Sequence, residues 1–587
     1  MDILTTSTIN SLISSYRSSE TNRSITPLQA RKDKYSKVSG AYNSLLSKLN
    51  SLKNELNIFS KTNTENIFNL KSASSSNTNY ITASASSAAL NGNYEIHVSQ
   101  LAKKDSVLSS QIISSDVSTL SGNHTFKIVC GDGEGGFFTS NIEVEFSDSE
   151  TNKSAIEKIQ EAINSDKAKI NSNYKNGNDS YQGGSAEFKV DLNGTEKIIN
   201  IDSSAITYAE LLDSIAEQLN TIEGITAHKE EDPENAGMMR LSITVDDSSK
   251  YISIINESGY DLTSELGINV LKEKGASGLV SASSFSPIQN YSRLNISSIQ
   301  SGLDFRILEL SDLNSGEALN SFGLNLGSSR PAFVQDDNTA GFLYADTTLS
   351  GNLLNAKINF NGIEIQRNSN TVSDLADGLI INLKSVMGEN EPAVNIAVGS
   401  DVSSIKSKVE SFIQKFNDVY TFLKTANSYS NGIRGALYGD SSAQAILNFL
   451  SSVVYDSMPG NTLQDLASLG ISFNPSSGLS ISNASLFESR IKSNPEDAAE
   501  LFNEESGITV KLLNFIEPYL GSSGYLSARK SSLDLNIQSA NDRIKSIETR
   551  INKSAEMLRK RYEQLQVQLA ALLSTQSYFS TDSTSYF

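Results

Sequence analysis

The chain has 587 residues, a net charge of −19 and a sequence pI near 4.8, so it lacks the basic footprint that nucleic acid or anionic lipid requires. Its single cysteine excludes an intrachain disulfide, no apolar run reaches the about 18 residues that a membrane span needs, and Met1-Asp2-Ile3-Leu4 lacks the basic and apolar regions of a cleaved signal peptide. At roughly 150 residues per domain the length allows about four domains, each able to bury a core without metal or disulfide staples.

In chain order, Ile9, Leu12, Ile13 and Tyr16 form a short, separate amphipathic stretch in an otherwise polar, weakly structured segment of residues 1–26. Thr26-Pro27 then reads as a helix cap followed by proline at the first helical position. Behind it Leu28 leads a stripe of Tyr35, Val38, Tyr42, Leu45, Leu49, Leu52 and Leu56, whose steps from Tyr35 alternate 3 and 4. That spacing is a heptad seam and calls for a partner helix.

From residue 72 to 400 the pattern changes to short alternating strands: Tyr94 to Val98, Phe188 to Leu192, Leu241 to Val245 and Ile358 to Phe360. Asn193-Gly194 and Asn361-Gly362 are hairpin signals. A loose β-β-α repeat covers residues 188–219 and 358–383, the latter closing on a segment from Thr371 to Leu379, with a poorer copy at 125–162. Beyond it, Ile405, Val409, Phe412, Phe416, Val419 and Leu423 make a third stripe, with Ser400-Asp401 and Ser403-Ser404 offering caps. The last stripe runs Leu533, Ile537, Ala540, Ile544, Ile547, Ile551, Ala555, Leu558, Tyr562, Leu565, Leu569 and Leu572. It is too narrow and too long for an ordinary surface helix.

No arrangement of residues calls for catalysis. His97, His124 and His228 are mutually remote in sequence and there is no cysteine pair, so no metal-ligand spacing exists. Residues 131–136, Gly-Asp-Gly-Glu-Gly-Gly, lack the lysine of a phosphate loop and read as a hairpin turn. Asp246-Asp247 and Asp336-Asp337 read as surface charge, and Cys130 as a small buried strand residue. The expectation is a non-enzyme with no cofactor and no metal.

Several segments carry a family resemblance. Leu466-Ala-Ser-Leu-Gly-Ile471, Gly478-Leu-Ser-Ile481 and Asn494-Pro-Glu-Asp-Ala-Ala-Glu-Leu-Phe502 occur in that order, followed by the tail from Arg559 to Phe579. Near the front, Pro27-Leu-Gln-Ala-Arg31 and Gly92 to Ala102 match as well. Together they resemble the flagellar hook-associated protein 2 (FliD) family, which caps the bacterial flagellar filament. The opening Thr5 to Leu12 departs from the Gly-Ser-Gly-Leu-Asp-like start common in that family.

The resemblance implies a multidomain α+β protein with a discontinuous terminal helical bundle or coiled coil and inserted β-rich head domains. The expected division is 1–45 plus 545–587 as leg segments, partly disordered when free; 46–71 plus 400–544 as a helical bundle; 72–120 plus 286–399 as a head domain; and 121–285 as a second, inserted head domain. It further implies a ring-like homo-oligomer, expected as a pentamer, that sits outside the cell at the filament tip and promotes folding and insertion of flagellin. Export would use the flagellar type III apparatus and an export chaperone, without membrane insertion or nucleic acid. Tyr35, Val38, Tyr42, Leu45, Leu49, Leu52, Leu558, Tyr562, Leu565, Leu569 and Leu572 are the expected coiled-coil and assembly residues. Among them Leu558, Leu565, Leu569 and Leu572 form the expected contact surface, with Leu45, Leu49 and Leu52 as its partner within the chain. The competing readings are a hook–filament junction protein and an extracellular adhesin.

Overall fold

The computed structural model describes residues 5–59, 67–202, 206–328, 330, 334, 339–344 and 351–582. Contacts divide the chain into a helical unit, Met1–Ser72 with Gly399–Phe587, and a β-rich unit, Ala73–Val398.

The helical unit starts with a helix over Thr6–Glu20, whose cap Thr5 accepts from the Thr8 amide. A π-helical turn, Thr21–Ile25, leads straight into the helix Thr26–Ile58. Thr26 is therefore not a cap: it is helical, and its amide reaches back to the Thr21 carbonyl. Pro27 lacks an N–H for the carbonyl four residues back, and its ring crowds that group. The wider turn just upstream absorbs both problems, so the helix continues where proline was expected to begin one. For the same reason the stretch from Ile9 to Tyr16 is neither separate nor weakly structured.

Heptad spacing aims Tyr42, Leu45, Leu49, Leu52 and Leu56 into one core with Ile405, Val409, Phe412, Phe416, Val419 and Leu423 of the helix Val402–Ala426. Asp401 caps the latter helix, accepting from the Ser404 amide at 3.0 Å. Phe59 closes one end of this core, its ring 5.1 Å from Phe502, 5.7 Å from Phe412 and 6.1 Å from Phe68. The short helices Ser441–Val453, Ala484–Ser493, Pro495–Asn503 and Ile508–Ile516 and the hairpin of Ile471–Asn474 with Gly478–Ile481 complete the packing. Pro495 opens its helix as the sequence reads, but the Asn494 side chain donates to Asp497 at 3.0 Å instead of capping.

Among its described residues the β-rich unit holds three apolar cores. The first lies between a sheet ordered Lys71–Ser75, Val394–Ser400, Gly92–Gln100, Ala356–Phe360, Ile363–Arg367 and a smaller sheet of Ile81–Ala85, Leu379–Leu383 and Thr371–Val372. Here the segment from Thr371 to Leu379 is strand, turn and strand, not the third element of a β-β-α copy. Gly378 takes φ +70°, which breaks a helix there, and Leu379–Leu383 pairs with Ile81–Ala85 some 300 residues upstream.

The second core packs the helix Asn152–Ser165 against Gly122–Gly131, Phe137–Phe146, Ile307–Leu313, Val280–Phe285 and Tyr291–Ser301. The third packs the helix Tyr208–Leu219 against Ala186–Leu192, Thr195–Ile201, Tyr251–Gly259, Ile225–Glu231 and Met238–Val245. Thr207 and Glu210 form a reciprocal cap at the start of that helix. The Asn193-Gly194 and Asn361-Gly362 pairs both adopt positive φ in two-residue hairpin loops, as their sequence signals predict. Residues 132–136 form the hairpin turn between Gly122–Gly131 and Phe137–Phe146, with Gly131 paired to Phe137 as the last strand residue; Asp132 holds the turn, accepting from the Glu134 and Gly136 amides at 2.9 Å. Cys130 is buried beside it, and burial pushes its thiol far up from its ordinary value. Asp246-Asp247 sit in the turn after Met238–Val245, whereas Asp336-Asp337 lie outside the described residues.

Candidate assembly site on the paired terminal helices

The closing helix, Tyr525–Asp582, has 58 residues and extends about 87 Å at 1.5 Å per residue. Its early part belongs to the bundle: Leu526 and Leu533 share the core of Leu45, Leu49 and Leu52. Further along, Ser39 donates to Asp534 at 2.6 Å. Further still, Ala555 packs with Ile9 and Ile13 in a small separate core, flanked by Tyr16, Leu558 and Tyr562. Residue numbers rise on one helix as they fall on the other, so the two run antiparallel.

This register decides where each expected residue sits. Tyr42, Leu45, Leu49 and Leu52 are fully buried bundle core, and Tyr35 and Val38 pack half-buried against it. The Tyr42 hydroxyl donates to Asp440; burial first, then that carboxylate, push the phenol far above its ordinary value. Leu45, Leu49 and Leu52 are thus not the partners of the late leucines. An antiparallel pair places residues 45–52 opposite the beginning of the closing helix, and Ile9 and Ile13 opposite its later half. Ile9 and Ile13 were legible only as an amphipathic pair; the signal that joins them to Ala555 is tertiary.

Leu558 and Tyr562 are half-buried against the front helix. The front helix begins at Thr6, and the closing helix continues past Tyr562 to Asp582. Leu569 is half-buried, but Leu565, Leu572 and Leu573 are 44%, 71% and 40% exposed, and Val567 is exposed as well. Between the two helices lies an open groove of about 540 Å³, floored by Tyr16 and Leu558 and rimmed by Lys560 and Arg561. What this arrangement offers is an apolar stripe on a preformed helix, suited to seating another helix.

Two of the histidines serve local structure. His97 Nε2 lies 3.0 Å from the Gly388 carbonyl, and His124 Nδ1 accepts from the Glu317 amide at 3.0 Å. His228 is exposed on Ile225–Glu231. Among the described residues no helix is long and apolar enough to cross a membrane.

Two family models match the chain. The one described as Flagellar hook-associated protein 2 N-terminus covers residues 5–105, and the one described as Flagellar hook-associated protein 2 C-terminus covers residues 354–572. The chain is 24% identical over 340 residues to the B-type flagellar hook-associated protein 2 of Pseudomonas aeruginosa, covering 55% of this chain and 67% of the relative. It is 26% identical over 259 residues to flagellar hook-associated protein 2 of Salmonella typhimurium, covering 41% of this chain and 54% of the relative. Among solved structures, the D1-D2-D3 domains of the flagellar cap protein FliD from Escherichia coli align at a TM-score of 0.47 and 18% identity, over 84% of this chain and 99% of that one. With matched models holding both the paired termini and the strands leading into and out of the β-rich unit, the chain belongs to the flagellar hook-associated protein 2 family.

Proposed function

We propose that this protein caps the tip of the bacterial flagellar filament and promotes folding and insertion of exported flagellin as the filament grows. The observation that carries the reading beyond family membership is the closing helix, on which Leu565, Leu572 and Leu573 are exposed. In an acidic, self-repelling chain a preformed apolar stripe favours association with a specific partner helix over indiscriminate contact.

In this reading residues 1–45 with 545–587 are the leg, 46–71 with 400–544 the bundle that anchors it, and 72–120 with 286–399 and 121–285 the head. Subunits form a ring, a pentamer, with legs directed at the last flagellins and heads as a plate above them. Incoming flagellin folds beneath the plate, and the stripe binds and releases as each subunit takes its place. The work comes from helix association, with no covalent chemistry. The protein acts outside the cell, delivered by the flagellar type III apparatus with an export chaperone.

Deleting residues 560–587 is expected to leave both units folded, because every fully buried core residue is kept and, of the side chains flanking the Ile9, Ile13 and Ala555 core, only half-buried Tyr562 is lost. The same deletion is expected to abolish filament growth in a cap-deficient strain, with flagellin lost to the medium as monomer. Electron microscopy and immunoblots of the medium read both outcomes. Normal filaments from a secreted truncation would remove the leg from the mechanism.

A further inference from the structure

The lobe around the third core is an insertion: the chain leaves the second core after Asp166 and returns at Gly275. The two crossings lie side by side with no side chain between them. A Cβ on Gly275 would stand 2.7 Å from the Asp166 carbonyl oxygen and 2.8 Å from the Lys167 Cα. The lobes also share one seven-stranded sheet, but the strands that join them, Val270–Lys274 and Phe137–Phe146, meet in parallel at a single register pair, Glu273 with Thr139. The backbone seam is therefore minimal, and side chains must supply the rest of it.

Two carboxyl groups do so. Glu273 accepts from the Asn141 amide at 3.1 Å and from its side-chain Nδ2 at 3.2 Å, across the seam. Asp166 accepts from the Ala276 amide at 2.6 Å and from the Ser140 hydroxyl at 2.7 Å, tying one crossing to the other and to the same strand. Both line a cavity of about 410 Å³, into which Asn171 brings a buried Oδ1 without a hydrogen-bond partner. The other charged groups facing this cavity are Glu143 and Lys169, both exposed at its edge. Lys272 and Lys274 flank Glu273 on its strand and so project to the opposite face, where Lys272 pairs with Asp132 at 2.6 Å. Among the described residues no cation pairs with buried Glu273 or half-buried Asp166.

We propose that Glu273 and Asp166 form a proton-gated clamp that holds the inserted lobe against its host while at least one of them is protonated, and loosens the seam when both are ionised. Burial, then the neighbouring Asp166 charge, raise the Glu273 carboxyl to about 8, and burial raises that of Asp166 to about 6. The sign follows from linkage. An acid whose closed-state value is raised stabilises closure most fully below its ordinary value, and this is lost as pH rises towards the closed-state value. Opening that exposes Glu273 to water thus grows with pH by up to about tenfold per unit, levelling off near pH 8.

Amide hydrogen exchange of the full chain, compared with Glu273→Gln at each pH, cancels the intrinsic pH dependence of exchange. In peptides covering residues 137–146 and 274–280, the wild-type to variant rate ratio is expected to rise at least about tenfold between pH 6 and pH 8. A flat ratio overturns the clamp. Because a variant at a buried site can misfold, a second measurement leaves Glu273 intact. Spin labels at Asp148→Cys and Glu217→Cys, one on each lobe, are expected to give a narrow distance distribution at pH 6 and a broader one at pH 9, with buried Cys130 unlabelled. Superimposable distributions across that range equally overturn the proposal.

Discussion

Replacing Arg330 with alanine is expected to destabilise the β-rich unit by about 3–5 kcal/mol, because it strands a charge in the interior. Asp105 is fully buried, and the Arg330 guanidinium forks onto both its oxygens, with Nη2 to Oδ1 at 3.0 Å. The same guanidinium donates to the Ile307 and Tyr344 carbonyls at 2.9 and 2.8 Å and lies 3.7 Å over the Phe342 ring. Asp105 also accepts from the Ile307 amide at 2.9 Å and the Ser106 amide at 3.1 Å, so it cannot swing out to water once its partner is gone. Arg330→Lys keeps the charge but loses the fork and the stacking, and should fall between wild type and alanine. Urea denaturation, with hydrogen exchange in Lys104–Leu108 and Tyr291–Ser301 as the local readout, measures the loss. Wild-type stability of the alanine variant would show that Asp105 finds another counter-charge.

Phe59→Ala is expected to cost the helical unit about 3–5 kcal/mol. Phe59 is fully buried, and three aromatic rings, Phe68, Phe412 and Phe502, lie within 6.1 Å of its own. These rings come from chain segments far apart in sequence, so the cavity opens where those segments meet. Each ring pair adds about 0.5–1.5 kcal/mol beyond area burial. Phe59→Leu refills part of the space and should recover about half of the loss. Far-ultraviolet circular dichroism on heating reads this directly: the helical signal should melt earlier, while exchange protection in the β-rich unit stays unchanged. A common shift of both units would instead mean that they unfold together.

The two predictions differ in how visible their residues were. Phe412 belongs to a stripe read from spacing alone, whereas the ion pair of Asp105 with Arg330 joins positions 225 residues apart without a periodic signal. Leu565, Leu569 and Leu572 stood out as a stripe; that Leu565 and Leu572 are exposed while Leu569 is half-buried needed the structure. At Pro27 a strong local rule pointed to a helix start, yet a continuous helix prevailed. A π turn offers proline an accommodation, and Ile9 and Ile13, packed on Ala555, favour keeping the front helix whole. At Thr371 to Leu379 strand pairing with Ile81–Ala85 prevailed over an apparent repeat.

Whatever repeats within a few residues was legible in the chain alone. Heptads aim side chains along one helix face, alternation splits them across a sheet, and Asn-Gly pairs turn a chain back on itself. These are properties of local backbone geometry, and they placed the stripes at 35–56, 405–423 and 533–572 and the hairpins at 193–194 and 361–362. Which stripe meets which was set by packing across the whole fold, because an apolar face is satisfied by any apolar face of similar width. The antiparallel register that pairs Ile9 with Ala555 came from there, and so did the crossing that sets Asp166 beside Gly275 and Glu273 against Asn141. So too did the exposure of Leu565 and Leu572 on the closing helix, since exposure is a fact about partners and is written in no single segment.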